Sequence, residues 1–250
     1  MSRPDGRAPD QLRSVQLSVG FLPYAEGSVL IEQGNTRVIC AVSVEDGVPS
    51  FLRGQGTGWV TAEYRMLPRA TVTRSPRDTS GRTDGRNVEI QRLIGRSLRA
   101  AVDRAVLGER TLIVDCDVLT ADGGTRTASI TGAFVALALA CERLRASGQL
   151  TAIPIRRQIA AVSAGIVNGT ALLDLIYAED SAADVDCNLV LTDRGETVEL
   201  QLTAERMLPS SDQVDRVIAL AKQGIGELLE IQRAVLAIHV PAVLSALRGA

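Results

Sequence analysis

A Gly-Gly turn that passes directly into a helix is the feature of the sequence best suited to chemistry. Residues 122–132 read D-G-G-T-R-T-A-S-I-T-G. The backbone N–H groups of a helix's first turn lack intrahelical partners, and the helix dipole adds partial positive charge there. Thr125 adds a hydroxyl and Arg126 a guanidinium, so the turn predicts a phosphate site. A tight turn in which Thr125 only caps a buried helix is the alternative, and the Walker A spacing is absent.

Five carboxylates within thirteen residues form a second candidate site. They are Asp174, Glu179, Asp180, Asp184 and Asp186. Carboxylates without His or Cys partners suit a hard cation such as Mg²⁺, which prefers oxygen ligands, keeps several waters and pairs with substrate phosphates. Asp184 and Asp186 share one face if their segment is extended. A solvated acidic loop is the alternative interpretation.

The charged residues are segregated along the chain. The 250 residues carry a formal net charge of −2, and all but one of the 27 basic residues are Arg. Residues 53–99 hold ten Arg against four acids, whereas residues 174–205 hold nine acids against one Arg. Because the Arg fork suits phosphate, the near-neutral average conceals a basic segment for anions and an acidic one for a cation.

Composition excludes several classes of protein and site. The four cysteines are scattered without a C-x-x-C pair, and the single histidine, His239, lies near the C-terminus. Zinc sites and schemes based on a thiol or histidine are therefore disfavoured. The longest apolar run, Ala133–Cys141, is half of a bilayer span, and the first ten residues contain no signal-peptide core. We expect a cytoplasmic protein without a membrane partner.

The elements that must position these residues follow from turn signals and apolar periodicity. In the first part of the chain the predicted strands are Ser28–Glu32, Thr36–Val44, Trp59–Tyr64 and Thr111–Leu119, the predicted helices are Asn87 to about Val106 and Thr125–Ala146, and Arg69–Gly85 is a long exposed loop. In the second part the predicted strands are Ile159–Val167, Thr170–Ile176, Asn188–Thr192 and Thr197–Thr203, and a helix capped by Ser210 runs to about Leu236.

Strands followed by helices, twice, predict an α+β fold. No Pro- or Gly-rich linker divides the chain. We therefore expect one domain over residues 1–250, built from two pseudo-symmetric β-then-α units with sheets packed against central helices. The first unit covers about residues 1–147 and the second about residues 157–237.

The Arg-rich segment, the helix-terminal anion site and the acidic cluster together favour phosphate-dependent cleavage of a phosphodiester. Inorganic phosphate is largely ionised at neutral pH, so its attack requires cations that hold it against another phosphate more than it requires a strong base. Hydrolysis that uses the same acids with water as nucleophile is the alternative, but it leaves the anion site without a role.

Several long segments carry a family resemblance. They include R-P-D-G-R at 3–7, A-E-G-S-V-L-I at 25–31, G-V-P-S-F-L-R-G at 47–54, G-W-V-T-A-E-Y at 58–64, E-I-Q-R-L-I-G-R-S-L-R-A at 89–100, D-C-D-V-L-T-A-D-G-G-T-R-T-A at 115–128 and L-D-L-I-Y-A-E-D-S-A-A-D-V-D at 173–186. Over nearly its whole length the chain resembles the RNase PH family of phosphate-dependent exoribonucleases, so an RNase PH-like domain is expected.

The resemblance implies roles for individual residues. Those matching the family's phosphate ligands are Arg86, Gly124, Thr125 and Arg126. Asp180 and Asp186 match an acidic pair that holds Mg²⁺ and acts in catalysis. Basic loop positions associated with tRNA binding outside the active site are matched by Arg69, Arg74 and Arg77.

The activity implied by the resemblance is phosphorolytic 3′→5′ trimming of tRNA precursors. Inorganic phosphate is the co-substrate, nucleoside diphosphates are released, and the reverse reaction adds nucleotides. The expected assembly is a ring-shaped homohexamer, a trimer of dimers. An inactive RNA-binding ring subunit is a further alternative, which requires loss of the catalytic set, and every member of that set is present in this sequence.

Overall fold

The first sheet contains five strands in the order β1-β2-β3-β5-β4. Its strands are β1 (Val15–Val19), β2 (Gly27–Gln33), β3 (Thr36–Asp46), β4 (Trp59–Met66) and β5 (Arg110–Thr120). β4 and β5 run parallel, and the other neighbours run antiparallel. A computed structural model provides these coordinates and describes residues 3–77 and 85–249.

The second sheet contains four antiparallel strands in the order β7-β6-β8-β9. They are β6 (Ile159–Val167), β7 (Thr170–Leu173), β8 (Val185–Thr192) and β9 (Thr197–Ala204). The helices of the described chain are α1 (Gly85–Ala101), α2 (Arg104–Leu107), α3 (Thr125–Ala146), α4 (Tyr177–Asp180), α5 (Ser211–His239) and α6 (Pro241–Gly249), with a 3₁₀ turn at Ser50–Leu52.

Helix α3 lies at the centre of the molecule. It packs against β2 and β3 of the first sheet and against β6 of the second, while α5 packs against β6 as well. The helix is long and apolar enough to cross a bilayer, but 83% of its apolar window is buried within the protein. A helix that is apolar on all sides belongs in a core, so its character follows from its two sheet partners.

The predicted fold class is confirmed, because each sheet is followed along the chain by helices that pack on it. The predicted bounds of α3 and β6 agree with the observed ones, and Ser210 caps α5 through a capping box with Gln213. The single-domain boundaries remain a prediction. Part of the predicted loop, residues 78–84, lies outside the described residues.

The predicted helix from Asn87 to Val106 is wrong at both ends. α1 already begins at Gly85, and it stops at Ala101 because the backbone of Val102 forms a β-bridge with Ile155. Asp103 then starts the separate helix α2, since its side chain accepts hydrogen bonds from the N–H groups of Ala105 and Val106. The Asp103 cap and the bridge at Val102 therefore divide a segment whose apolar periodicity predicts one continuous helix.

The predicted strand Thr170–Ile176 is too long. β7 ends at Leu173, because Asp174 adopts a left-handed φ of 54° and its backbone leaves the sheet. Strand β8, in contrast, begins at Val185, three residues before its predicted start, and so includes Asp186. Strand β1 and helices α4 and α6 were not predicted from the sequence.

The contact between β2 and α3 predicts a strong size limit at Gly27. A Cβ atom there would lie 2.1 Å from the carbonyl oxygen of Ala136 and 2.7 Å from the nitrogen of Ala140, so Gly27→Ala must push the central helix away from the sheet. We expect urea unfolding to show a loss of about 1–3 kcal/mol. Gly226→Ala is the control, because Gly226 is exposed in α5 with open space around it, and this change should stabilise by about 0.5–1 kcal/mol. Equal stability of the two variants would contradict the close approach.

Candidate functional site

A cleft of about 580 Å³ brings together the predicted phosphate and metal residues. Its walls come from the N-terminus of α3, from α1 and α4, and from β6 and β8. The predicted residues that line it are Arg86, Gly124, Thr125, Arg126, Asp180 and Asp186. Two segments far apart in sequence, one basic and one acidic, therefore face a common space.

The turn before α3 requires both of its glycines. Gly123 and Gly124 have φ values of 77° and 65°, which L side chains rarely adopt. A Cβ on Gly123 would also lie 2.3 Å from the carbonyl oxygen of Leu175. Gly124 is the N-cap and provides no side chain to accept from the first turn. The N-terminus of a 22-residue helix therefore lies uncapped at the cleft, where it can bind an anion.

Neighbouring side chains fix the two polar residues that begin α3. The hydroxyl groups of Tyr64 and Thr125 form a 2.8 Å hydrogen bond, and burial raises the pKa of Tyr64. Arg126 Nη1 donates to Glu89 of α1 at 3.3 Å and to Gln201 of β9 at 3.2 Å. Both groups are thus oriented before any substrate binds.

The two cleft carboxylates occupy different elements. Asp180 ends α4, and Asp186 lies in β8 opposite Gly165 of β6. Asn188 donates from its side-chain amide to Asp186 Oδ2 at 3.0 Å, whereas Oδ1 is buried and has no hydrogen-bond partner within residues 3–77 and 85–249. Asp184 precedes β8 and does not line the cleft, so the expected pairing of Asp184 with Asp186 is replaced by Asp180 with Asp186.

Burial raises the pKa of both carboxylates, and the nearby arginines oppose that rise. Burial raises the pKa of Asp180, while Arg86 and Arg126 counteract that rise. Burial and the nearby Asp180 raise the pKa of Asp186 to about 6. Each carboxylate therefore gains from a nearby cation, because removal from water and mutual repulsion both disfavour the ionised forms.

This donor set fits Mg²⁺. Magnesium is commonly held by one or two protein carboxylates, with waters and substrate phosphates completing its shell. Asp180 and Asp186 supply two such groups, and the unpartnered Oδ1 of Asp186 is an available oxygen ligand. Among residues 3–77 and 85–249 there is no cluster of three or more His, Cys, Asp or Glu able to hold a metal, so the site lacks a full protein cage.

The N-terminal segment holds the cleft together through a buried ion pair. Arg13 donates to both carboxylate oxygens of Asp174, at 2.6 and 3.0 Å, and to the carbonyl oxygen of Asp122 at 2.6 Å. Arg3 binds Glu179 of α4 through two hydrogen bonds of 2.7 and 2.8 Å. These four charged side chains, Arg3, Arg13, Asp174 and Glu179, form what we call the N-terminal clamp. It joins the Gly-Gly turn to the segment that carries Asp180.

The three predicted RNA-binding arginines occupy different positions. Arg69, Arg74 and Arg77 are all exposed. Arg74 lines the cleft, whereas Arg69 and Arg77 do not. Their assigned roles stay predictions, but the structure separates one arginine at the cleft from two beyond it.

Three residues in or next to the cleft were not predicted from the sequence. Tyr64 and Asn188 act on predicted residues, and Ser163 lines the cleft from β6. Nothing in the local sequence links Tyr64 to Thr125. Ser163 did leave a signal, since it is a hydroxyl in the otherwise apolar strand I-A-A-V-S-A-G-I-V.

Family models match most of the chain. Residues 11–141 match domain 1 of the 3′ exoribonuclease family, and residues 157–224 match domain 2 of the same family. The first match contains Arg86 and the Gly-Gly turn, and the second contains Asp180 and Asp186.

Relatives agree over nearly the full length. Ribonuclease PH of Dehalococcoides mccartyi is 58% identical over 236 residues, covering 94% of this chain and 98% of the relative. Ribonuclease PH of Syntrophomonas wolfei is 54% identical over 239 residues, covering 95% and 100%. The Archaeoglobus fulgidus exosome, solved with RNA bound to its active site, superposes with a TM-score of 0.78 at 26% identity, covering 92% of each chain.

The N-terminal clamp predicts a defined dependence of stability on pH. Burial alone would raise the pKa of Asp174, but hydrogen bonds and charge from Arg13 outweigh it and hold that pKa below its ordinary 3.8. The ion pair therefore stabilises the fold above about pH 4, and this contribution is lost as the pH falls through the lowered pKa. Asp174→Asn should cost about 3–5 kcal/mol at pH 7, because Arg13 is left buried without its partner.

The measurement is urea unfolding of wild type and Asp174→Asn between pH 7 and pH 3. The difference in unfolding free energy should narrow below about pH 4. Glu142→Gln is the control, since its ion pair with Arg145 lies on the surface and should contribute no more than about 1 kcal/mol. A difference for Asp174→Asn that stays constant down to pH 3 would show that the ion pair does not titrate as described.

Proposed function

Since this chain belongs to the ribonuclease PH family of 3′ exoribonucleases, we propose that inorganic phosphate attacks the 3′-terminal phosphodiester of RNA in the cleft. The chain is a phosphorolytic 3′ exoribonuclease, and therefore a nucleotidyltransferase. The strongest support for placing the reaction in this cleft is the set of groups that line it. An uncapped helix N-terminus, three arginines and a carboxylate pair line the same space.

The reaction joins two anions, which accounts for the arginines and the helix N-terminus that line the cleft. An oxygen of hydrogen phosphate forms a bond to the phosphorus of the terminal nucleotide, and the bond from that phosphorus to the preceding 3′-oxygen breaks. The phosphate proton ends on the 3′-oxygen, so the products are a shortened RNA and a nucleoside diphosphate. Repulsion between the phosphates is the main barrier to their approach, and fixed cations and dipoles lower it.

The phosphate ligands in this proposal are Arg86, Arg126, Thr125 and the backbone at Gly124. Arg126 is held by Glu89 and Gln201, and the Thr125 hydroxyl by Tyr64. Binding groups that are already oriented lose little entropy when the phosphate arrives. The site can therefore use its hydrogen bonds to position the nucleophile.

Asp180 and Asp186 hold Mg²⁺ in this proposal. A bound Mg²⁺ would neutralise charge on the reacting phosphates. The chain's own contribution is to keep the carboxylates together, through the clamp on α4 and through the hydrogen bond from Asn188 to Asp186. The pKa values of both carboxylates are raised, so a bound cation would stabilise their ionised forms.

The substrate in this proposal is RNA with a free 3′ end, including tRNA precursors. RNA bound at the active site of the superposed archaeal exosome supports this substrate class. Assembly as a homohexamer, a trimer of dimers, and a cytoplasmic location complete the proposal. Hydrolysis by the same carboxylates remains the competing chemistry, and the identity of the product separates the two.

The function is tested by RNA labelled in its 3′-terminal nucleotide, incubated with Mg²⁺ and increasing inorganic phosphate. We expect labelled nucleoside diphosphate, formed at a rate that rises with phosphate until saturation. Arg126→Ala should lower that rate by about 10²–10³-fold at a fixed phosphate concentration, because a charge-assisted donor is lost. Arg145→Ala, at the other end of α3 and paired only with Glu142 in the described structure, is the matched control. Nucleoside monophosphate at every phosphate concentration would exclude phosphorolysis.

The positions of the loop arginines predict two distinct phenotypes. The double variant Arg69→Ala/Arg77→Ala should weaken tRNA binding and lower its salt dependence, with short oligonucleotides cleaved as before, because both residues lie beyond the cleft. Arg74→Ala should impair cleavage of both substrates, because Arg74 lines the cleft. Titration of binding against salt, with cleavage rates for both lengths of RNA, measures these effects. Equal losses on short RNA from the two variants would refute this division.

A further inference from the structure

Ser163 contributes a buried hydroxyl to the cleft without an assigned role. It lies in the middle of β6, is 3% exposed and lines the cleft. Its Oγ is buried and makes no hydrogen bond to any residue that the structure describes. Leaving a buried hydroxyl unsatisfied disfavours the folded state, so such a group calls for an explanation.

The hydroxyl lies between the two halves of the site. A Cβ built on Gly124 would be 3.5 Å from Ser163 Oγ, which places the hydroxyl beside the N-cap of α3. On its other side, Ser163 pairs across the sheet with Asn188, whose amide donates to Asp186. Ser163 therefore lies next to the Gly-Gly turn, and its partner across the sheet, Asn188, is two residues from Asp186.

A second unpartnered atom lies on the same face of this sheet. Asp186 pairs with Gly165, and Gly165 and Ser163 are two residues apart on β6, so their side-chain positions share a face. Among the buried side-chain atoms without a hydrogen-bond partner in the described residues, Ser163 Oγ and Asp186 Oδ1 are the two whose residues line this cleft. A small polar ligand bound between the Gly-Gly turn and Asp186 would be within reach of both unpartnered atoms.

We propose that Ser163 Oγ donates a hydrogen bond to the attacking inorganic phosphate, as a ligand in addition to Arg86, Gly124, Thr125 and Arg126. This inference rests on the proposed function. Residues 72–76 of the cleft lining are exposed, whereas Ser163 is buried beside the α3 N-terminus. A small tetrahedral anion fits that position better than a nucleotide does.

The test compares Ser163→Ala with wild type in steady-state phosphorolysis. Loss of a hydrogen bond to a charged acceptor should raise the KM for inorganic phosphate by about 10–100-fold. The kcat at saturating phosphate and the KM for RNA should change by less than about twofold, because the bond is present before and during the reaction. Calorimetric titration of the free enzyme with inorganic phosphate should show the same loss of affinity.

Stability separates a ligand from a structural residue. Because Ser163 Oγ has no hydrogen-bond partner among the described residues, Ser163→Ala should leave the Tm in phosphate-free buffer unchanged or raise it. Ser163→Cys, which keeps the volume with a weak donor, should show the same KM effect. Ser97→Ala is the matched control: its buried Oγ donates to the Leu93 carbonyl at 2.9 Å in α1, away from the cleft. This change should lower the Tm and leave the KM for phosphate unchanged.

Three results would overturn the inference. The first is an unaltered KM and affinity for phosphate in Ser163→Ala, and the second is a rise in the KM for RNA alone, which would make Ser163 an RNA ligand. A drop in Tm like that of Ser97→Ala, without a change in phosphate affinity, is the third, and it would mark a structural role. Failure of the proposed function itself would appear differently, as wild-type enzyme that releases monophosphates and binds no phosphate.

Discussion

The geometry of the cleft depends on the buried ion pair between Arg13 and Asp174. Asp174 is fully buried and Arg13 is 6% exposed, so the pair is formed away from water. Removing two charges from water is costly, and the cost is offset only when their hydrogen bonds are complete. Here the Asp174 carboxylate accepts from the Arg13 backbone as well as its side chain, and Arg13 also reaches the carbonyl oxygen of Asp122. The ion pair is therefore tied to the Gly-Gly turn by the same guanidinium.

This arrangement explains why the left-handed backbone of Asp174 is tolerated. A φ of 54° is unfavourable for a non-glycine residue. It ends β7, and the carbonyl oxygen of Asp174 accepts hydrogen bonds from the side chains of Arg3 and Arg7. The chain then continues into α4, which carries Asp180 into the cleft. The unfavourable backbone conformation of Asp174 thus helps to place the Asp180 carboxylate in the cleft.

The sequence predicted best those elements whose structure depends only on their own residues. The apolar run after the Gly-Gly turn predicted α3 with its observed bounds, because no neighbouring element was needed to define it. The anion site was equally local, since its donors follow one another along the helix start. The carboxylate pair was harder to predict from spacing. The spacing favoured Asp184 with Asp186, but the short helix α4 brings Asp180 to the cleft instead.

What the sequence could not supply were contacts between distant segments. Arg13 and Asp174 are 161 residues apart, and Tyr64 and Thr125 are 61 apart, so no local pattern relates them. The family resemblance predicted which residues act but not which residues hold them in place. Those supporting contacts appear only when the sheet registers and the loop backbones are known.

The central helix joins stability and chemistry in a single element. The body of α3 is buried between two sheets, and its close contact with β2 depends on Gly27. The same helix presents an uncapped N-terminus to the cleft. Because this helix is held in place by two sheets, the other residues that line the cleft must be brought to it by their own elements. Arg86 on α1, Asp180 on α4 and Asp186 on β8 come from three other elements, and so the fold must assemble fully before the cleft is complete.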